Sequence, residues 1–236
     1  MTIQSYRREQ DIKDYPELQD DPAFNFYYWG PLLMKFKVSD YLCDEMMKRA
    51  ESLTIEKNDA RHTLAADIKK ELSFTPDDKQ FFVERTNKVF MRYMRYGREN
   101  WFKPNENRVK NPSNVKLGHF DAKSITLNGL WINYMRAGDH NPPHEHDGDL
   151  SFVMFTQVPE EIAIENKSNI TTSAGPGMLN FLYGEGVPGY AGRQSFMPTK
   201  GDFYIFPAKL LHFVAPFKSD VTRISIAGNL EFAYTW

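Results

Sequence analysis

The stretch GDFYIFPAKLLHFVAPFKSDVTRISIAGN, residues 201–229, decides the fold. It contains two short runs rich in aromatic and β-branched residues, DFYIFP and RISIAGN. Such runs, broken by Gly, Pro and Asn, are typical of strands joined by turns. The same pattern reaches back to residue 124 through ITLNGLWINYM, LSFVMFTQV and MLNFLYG. The second half of the chain is therefore predicted to form an all-β sandwich or barrel.

Three of the six histidines fall in a spacing that suggests a metal site. His144 and His146 are two residues apart, so in an extended strand both imidazoles point to one face. Gly138 precedes them by six residues, and the later pattern G-x5-P-x4-H ends at His212. This is the layout of a metal site in a double-stranded β-helix. Imidazole ligands suit Fe, Zn, Cu or Ni, so the residues alone leave the metal open.

Arg223 and Ser225 suggest a second, anion-binding site. They share one face of the predicted strand RISIAGNL, where a guanidinium and a hydroxyl together suit a carboxylate. An arginine in an otherwise apolar strand needs an anionic partner, because burying it unpaired is costly. The alternative is a surface arginine paired with a nearby acid such as Asp220.

The first 123 residues follow a different pattern. After a polar opening arm, PLLMKFKV (31–38) predicts a strand, and a helix begins at Ser39 or Asp40. A second helix is predicted from Thr75, with Pro76 in its first turn, to Gly97. We expect one domain over 1–236, mostly β with flanking helices (α+β). Residues 1–123 would supply a strand and supporting helices, and residues 124–236 a double-stranded β-helix (jelly-roll, cupin-like) catalytic core.

Composition excludes several classes of protein. The 236 residues are 41% hydrophobic and 14% aromatic, which argues against disorder, and the net charge of −2 excludes a polycationic nucleic-acid coat. The single cysteine, Cys43, cannot form an internal disulfide, which fits a reducing compartment. The opening residues lack an apolar signal region, and no 18-residue apolar run occurs. We expect a cytoplasmic protein with no membrane partner.

The near-neutral total conceals a basic segment over residues 85–123. It holds ten Lys or Arg against three acids, with Trp101 and Phe102 among them. Such a segment is either a solvated helix face with its loop or a surface that attracts an anionic partner, including nucleic acid. The sequence leaves both interpretations open.

The histidine and Arg-x-Ser motifs together resemble those of Fe(II)/2-oxoglutarate-dependent oxygenases. The segments NPPHEHDGDLSFVMF, GDFYIFPAKLLHFVAPFKSDVTRISIAGN and LAADIKKELSF are similar to oxygenases of this kind in marine cyanophages. The resemblance implies Fe(II), 2-oxoglutarate and O2, and the cytoplasm of a bacterial host if the protein is phage-encoded. It implies Fe(II) on His144, His212 and the residue at the position of His146. It also implies the far carboxylate of 2-oxoglutarate on Arg223 and Ser225, with release of succinate and CO2.

His146 departs from the usual pattern of such oxygenases. Their iron is held by two histidines and a carboxylate, and the acid stands where this chain has His146. We favour His146 as the third ligand and keep Asp147 as the alternative. Asp147 or Asp149 could reach the metal from a bulged strand end, or His146 could lie outside the ligand set and orient a ligand. Glu145 faces the opposite way in a regular strand.

The expected reaction is hydroxylation of a C–H bond in a protein, a nucleobase or a small molecule. One alternative is a three-histidine cupin that binds metal but takes no 2-oxoglutarate. Another is a non-catalytic β-barrel that binds a partner. Neither the prime substrate nor the oligomeric state follows from the sequence, and a homo-oligomer remains one option.

Overall fold

The computed structural model describes residues 2–3, 23–28, 30–97, 124–171, 174–184 and 192–233. In chain order its strands are β1 (Thr2–Ile3), β2 (Phe24–Tyr28), β3 (Leu32–Lys37), β4 (Glu71–Ser73), β5 (Ser124–Met135), β6 (Asn141–His144), β7 (Leu150–Gln157), β8 (Leu179–Leu182), β9 (Arg193–Phe196), β10 (Asp202–Pro207), β11 (Leu211–Val214) and β12 (Arg223–Ala233). Its α-helices are α1 (Asp40–Ala50), α2 (Ile55–Asn58), α3 (Pro76–Tyr96) and α4 (Glu160–Lys167), with a 3-10 turn at Arg61–Thr63. None of these helices combines the length and apolar character needed to cross a membrane.

The strands form two antiparallel sheets. The larger has the order β1-β5-β12-β7-β10-β3-β2, with β4 also paired to β5, and the smaller has the order β6-β11-β8-β9. Along the chain from β5 to β12, strands pass back and forth between the two sheets. This connectivity is that of a double-stranded β-helix. The predicted fold class, mostly β with flanking helices around a jelly-roll core, is confirmed.

The N-terminal half supports the larger sheet. Strands β1 to β4 extend it, and α1 and α3 cover its outer face with a continuous apolar core. Phe82 of α3 stacks on Phe152 of β7 with ring centroids 5.2 Å apart, and Phe90 meets Phe152 edge-on at 5.3 Å. Aromatic pairs in these arrangements contribute beyond their buried area. The helices therefore hold the larger sheet from outside, which leaves its inner face for the site.

Local signals in the sequence set the helix boundaries as predicted. The Ser39 side chain accepts a hydrogen bond from the Leu42 backbone N–H, which caps α1. Thr75 and Asp78 form a capping box at the start of α3, and Gly97 caps its end. Cys43 is buried, as expected of a packing thiol.

Two predicted features lie mainly outside the described residues. Of the opening arm, the structure describes Thr2–Ile3, which pair with β5 as a strand. Of the basic segment over 85–123, it describes residues 85–97, the second half of α3 and its cap. Both interpretations of the basic segment stay predictions.

Candidate metal centre

The fold brings three histidines together between the sheets. His144 ends β6 and is the register partner of His212 on β11, while His146 follows two residues later. One nitrogen from each ring lies within 4.8 Å of the others. The ring centroids are 4.2 Å apart for His144 and His212, and about 5 Å apart for the other two pairs. This convergence matches the spacing of H-x-H and the distant histidine in the sequence.

Backbone carbonyls fix the tautomers of two of these histidines. The Nδ1 of His144 lies 2.7 Å from the Pro142 oxygen, and the Nδ1 of His212 lies 2.8 Å from the Leu210 oxygen. A carbonyl oxygen only accepts, so each Nδ1 carries the proton and each Nε2 keeps a free lone pair. Metal-binding histidines show this arrangement, because the outer hydrogen bond orients the ring. The Nε2 lone pair of each ring is therefore available to bind a metal.

His146 is positioned by its backbone and by an aromatic neighbour. Its backbone N–H donates to the Ala208 oxygen at 2.9 Å, which joins the end of β6 to the turn after β10. Its ring lies 5.8 Å from the Trp131 ring, centroid to centroid. Trp131 lies on β5, so the larger sheet contacts the cluster directly.

All three histidines are neutral at neutral pH. Burial lowers their pKa values, to about 4 for His146 and to about 3 for His212, and their mutual repulsion adds to the shift in these two. Metal binding requires deprotonated imidazole, so no proton has to be displaced from these rings at pH 7. Three neutral nitrogen donors fit a first-row transition metal such as Fe(II).

The neighbouring carboxylates are turned away from the cluster. The Asp147 side chain is fully exposed and pairs with Lys209 at 3.5 Å, and Glu145 pairs with the same lysine at 3.2 Å. Asp149 accepts a hydrogen bond from the Phe232 backbone N–H at 2.8 Å. The metal-ligand group found among the described residues therefore contains three histidines and no acid.

Arg223 and Ser225 line the same cavity as the histidines. Arg223 is 3% exposed and Ser225 5% exposed, so the alternative of a surface arginine paired with Asp220 is wrong. One Arg223 Nη donates to the Gly177 carbonyl at 2.9 Å, and the other contacts the Met135 sulfur. Among the described residues no carboxylate pairs with this guanidinium, and its Nε has no hydrogen-bond partner. Burial lowers the pKa of Arg223 to about 10.

Two further polar residues, Glu71 on β4 and Asn133 on β5, line this cavity and were not among the residues predicted from the sequence. Glu71 is 1% exposed, and burial raises its pKa to about 8, with Asp139 and Asp59 adding to the shift and Arg61 opposing it. Asn133 is 8% exposed and stands opposite Ser225 in the sheet. The run IKKELSF contains no signal that marks its glutamate as buried.

The metal-free protein is expected to lose stability as the pH falls from 6.5 to 4.5. In this range an unfolded chain protonates His146 and His212, whereas the folded chain keeps them neutral, so acid favours unfolding. Glu71 acts in the opposite direction, because it holds a proton in the folded state that it releases when unfolded. His146, His212 and Glu71 together give a net difference of one proton, and His144, whose pKa burial also lowers, adds to it, so the predicted loss is at least about 1.4 kcal/mol per pH unit.

Urea unfolding at pH 6.5, 5.5 and 4.5 measures this slope. In Glu71→Gln the opposing contribution is gone, and the slope should increase by about 1.4 kcal/mol per pH unit. A flat profile in both proteins would show that the histidines are not held neutral by burial.

Part of the chain matches a known family model. Residues 129–229, from β5 to β12, match the family model described as "Putative 2OG-Fe(II) oxygenase". No curated protein matches the chain. The solved structures that it resembles include a viral collagen prolyl hydroxylase from Paramecium Bursaria Chlorella virus-1 in a 2OG complex. That likeness has 14% identity and a TM-score of 0.46, and it covers 84% of this chain and 94% of that one.

Two further solved structures are similar at the same level. A Pseudomonas putida prolyl-4-hydroxylase shows 15% identity and a TM-score of 0.40, over 82% of this chain and 85% of that chain. An oxidoreductase of the 2OG-Fe(II) oxygenase family from Burkholderia pseudomallei shows 11% identity and a TM-score of 0.37, over 100% of this chain and 88% of that chain. The family match over the double-stranded β-helix supports a 2OG-Fe(II) oxygenase, an oxidoreductase whose family implies Fe(II), 2-oxoglutarate and O2.

Proposed function

We propose that this protein is an Fe(II)- and 2-oxoglutarate-dependent oxygenase that hydroxylates a C–H bond and releases succinate and CO2. One observation carries the proposal: a cluster of three neutral histidines lines one cavity with a buried guanidinium that pairs with no carboxylate of the described residues. His144, His146 and His212 would hold Fe(II). Arg223 and Ser225 would hold the far carboxylate of 2-oxoglutarate.

Each residue has a defined task in this proposal. The bound metal supplies the activation of O2, coupled to decarboxylation of 2-oxoglutarate. The carbonyls of Pro142 and Leu210 keep the Nε2 atoms of His144 and His212 free to bind the metal. Arg223 is desolvated before any ligand enters, so a carboxylate that pairs with it relieves an existing penalty. Phe155 and Phe206 line the cavity and exclude water from it.

The resemblance to cyanophage oxygenases in the motif segments supports a narrower proposal. It assigns the protein to the hydroxylase type within that group, acting in the bacterial cytoplasm as a single domain. Residues 1–123 then serve as support for the catalytic core, a role consistent with the packing of α1 and α3 on the larger sheet.

A two-stage experiment tests the proposal. Fe(II) and 2-oxoglutarate are added without oxygen, and the charge-transfer absorption of an Fe(II)–2-oxoglutarate complex is expected in the visible range. Oxygen is then admitted together with ascorbate, a two-electron reductant that takes up the second oxidising equivalent in the absence of a prime substrate, and labelled 2-oxoglutarate should yield succinate and CO2. Stoichiometric metal binding without this absorption and without succinate would favour the three-histidine cupin. Absence of metal binding would leave the non-catalytic barrel.

The identity of the third ligand is tested by a matched pair of variants. His146→Asp restores the usual carboxylate and is expected to keep Fe(II) affinity within about 10-fold of wild type, whereas His146→Ala should lose more than that. Asp147→Ala should leave affinity unchanged, because this exposed side chain points to Lys209. Competition with a chromophoric chelator measures all three. Loss of metal in Asp147→Ala would assign the site to Asp147 instead.

A further inference from the structure

A row of polar side chains crosses the inner face of the larger sheet. Glu71 on β4 stands opposite Asn133 on β5, and Asn133 stands opposite Ser225 on β12. The Tyr134 N–H donates to the Lys70 carbonyl, one position along the ladder from Glu71 and Asn133. Glu71 and Asn133 are therefore a non-hydrogen-bonded pair of the antiparallel sheet. Side chains approach most closely in such pairs. The three residues therefore form one continuous polar row in the cavity.

Two hydrogen-bond acceptors in this row are buried without a partner. The Oε2 of Glu71 and the Oδ1 of Asn133 have none among the described residues. The Asn133 amide nitrogen already faces Ser225, with Nδ2 3.4 Å from Oγ. A buried acceptor without a donor costs free energy, so each such atom in a cavity indicates a ligand group that donates.

The far carboxylate of 2-oxoglutarate does not meet this need. Its proposed partners, Arg223 and Ser225, lie on β12, two strands away from Glu71 on β4. Two strand spacings amount to roughly 10 Å. A carboxylate also has no donor to offer to the unpartnered oxygens of Glu71 and Asn133. The Glu71 end of the row is thus left for a second molecule.

The charge around Glu71 favours a cation. Arg61 is the nearby base, and it is already committed to Asp59, with Nε and Nη2 at 2.8 and 2.7 Å from the two carboxylate oxygens. Asp139, itself buried, adds negative potential at Glu71. The segment just before β4 contributes Leu64 and Ile68 to the same cavity, and these offer apolar surface for an aliphatic stem.

We propose that Glu71 and Asn133 form the subsite for the prime substrate, an inference that rests on the proposed function. This subsite holds a cationic nitrogen group, an amine or a guanidinium, at the end of an aliphatic chain. Its N–H groups satisfy both buried acceptors, and its positive charge stabilises the ionised form of Glu71, which releases its proton to solvent when the cation binds. The proposal narrows the substrate class to aliphatic amines and guanidines, free or as side chains of a larger molecule.

Calorimetry and ligand-observed NMR on the full chain test the subsite. The protein is loaded with Zn(II) and 2-oxoglutarate, so that no turnover occurs, and titrated with n-butylguanidinium, n-butylammonium and butanoate. Both cations are expected to bind, and butanoate is not. Glu71→Gln should weaken cation binding at least 10-fold, and Asn133→Ala should weaken it in the same direction. Glu56→Gln, an exposed carboxylate on α2, is the matched control and should change nothing.

The same samples separate this inference from the proposed function. Each variant is first shown to bind Zn(II) and 2-oxoglutarate, which also shows that it has folded. Cations that fail to bind to such a sample, or that bind Glu71→Gln as tightly as wild type, overturn the subsite and leave the oxygenase assignment standing. Failure of wild type to bind 2-oxoglutarate overturns the proposed function, and the subsite as a substrate site with it.

Discussion

Replacement of His212 by alanine is expected to lower the affinity for Fe(II) more than 100-fold. His212 is buried, its Nε2 faces the two other imidazoles, and the Leu210 carbonyl fixes its tautomer. Loss of a hydrogen bond that orients a metal-binding histidine typically costs 10–100-fold in metal affinity. Loss of the ligating nitrogen itself should cost more. Anaerobic loading followed by elemental analysis, with Co(II) competition for the dissociation constant, measures the effect.

His62→Ala is the matched control for this variant. His62 is an exposed histidine in the 3-10 turn at Arg61–Thr63 and stands outside the cluster. Its replacement should leave the metal content at that of wild type. If the His212→Ala protein folds and still takes up one equivalent of Fe(II) tightly, the metal is not bound at these three histidines.

Replacement of Arg223 by methionine is expected to lower the affinity for 2-oxoglutarate at least about 100-fold, with metal affinity unchanged. A carboxylate that enters this cavity gains its pairing from Arg223, and breaking a buried ion pair by removal of one partner costs about 3–5 kcal/mol. Titration calorimetry on the Zn(II)-loaded protein measures the loss. Without ligand, the same variant should be as stable as wild type or more so, because it no longer buries a charge that pairs with no carboxylate in the described part of the chain.

This combination of weaker binding and undiminished stability is specific to an anion-binding arginine. A purely structural arginine would lower stability when removed and would leave 2-oxoglutarate affinity alone. Arg136→Met, at an exposed arginine in the turn before β6, serves as the control and should alter neither. Unchanged 2-oxoglutarate affinity in Arg223→Met would move the carboxylate site elsewhere.

The sequence predicted those parts of the molecule that depend on neighbours along the chain. The caps at Ser39 and Thr75 depend on residues three positions away, and the strands from β5 to β12 show their burial in short apolar runs. The H-x-H pair and His212 were identifiable because their spacing is tied to the connectivity of the double-stranded β-helix. The caps and strands depend on residues close together in the sequence, and the histidine spacing depends on the known connectivity of the double-stranded β-helix.

Glu71 shows why the remainder was not predictable. Its place in the cavity depends on pairing between β4 and β5, which joins residues about sixty positions apart. Nothing in the run IKKELSF distinguishes a buried glutamate from an exposed one, since two lysines precede it. The side chain of Asp147 is similar, because it pairs with Lys209, which lies in the loop after β10 and far from it along the chain. Long-range pairing decides both, and a single sequence does not reveal it.

The division of the site between the two sheets has a mechanical consequence. His144 and His212 belong to the smaller sheet, while Arg223 and Ser225 belong to the larger. 2-Oxoglutarate is a dianion that would be held at one end by the metal and at the other by Arg223. When bound, it would therefore link the smaller sheet to the larger one. Transient separation of the two sheets should therefore become slower when 2-oxoglutarate binds to the metal-loaded protein. Amide hydrogen exchange in β6 and β11, which lie at the edge and next to the edge of the smaller sheet, should report that slowing.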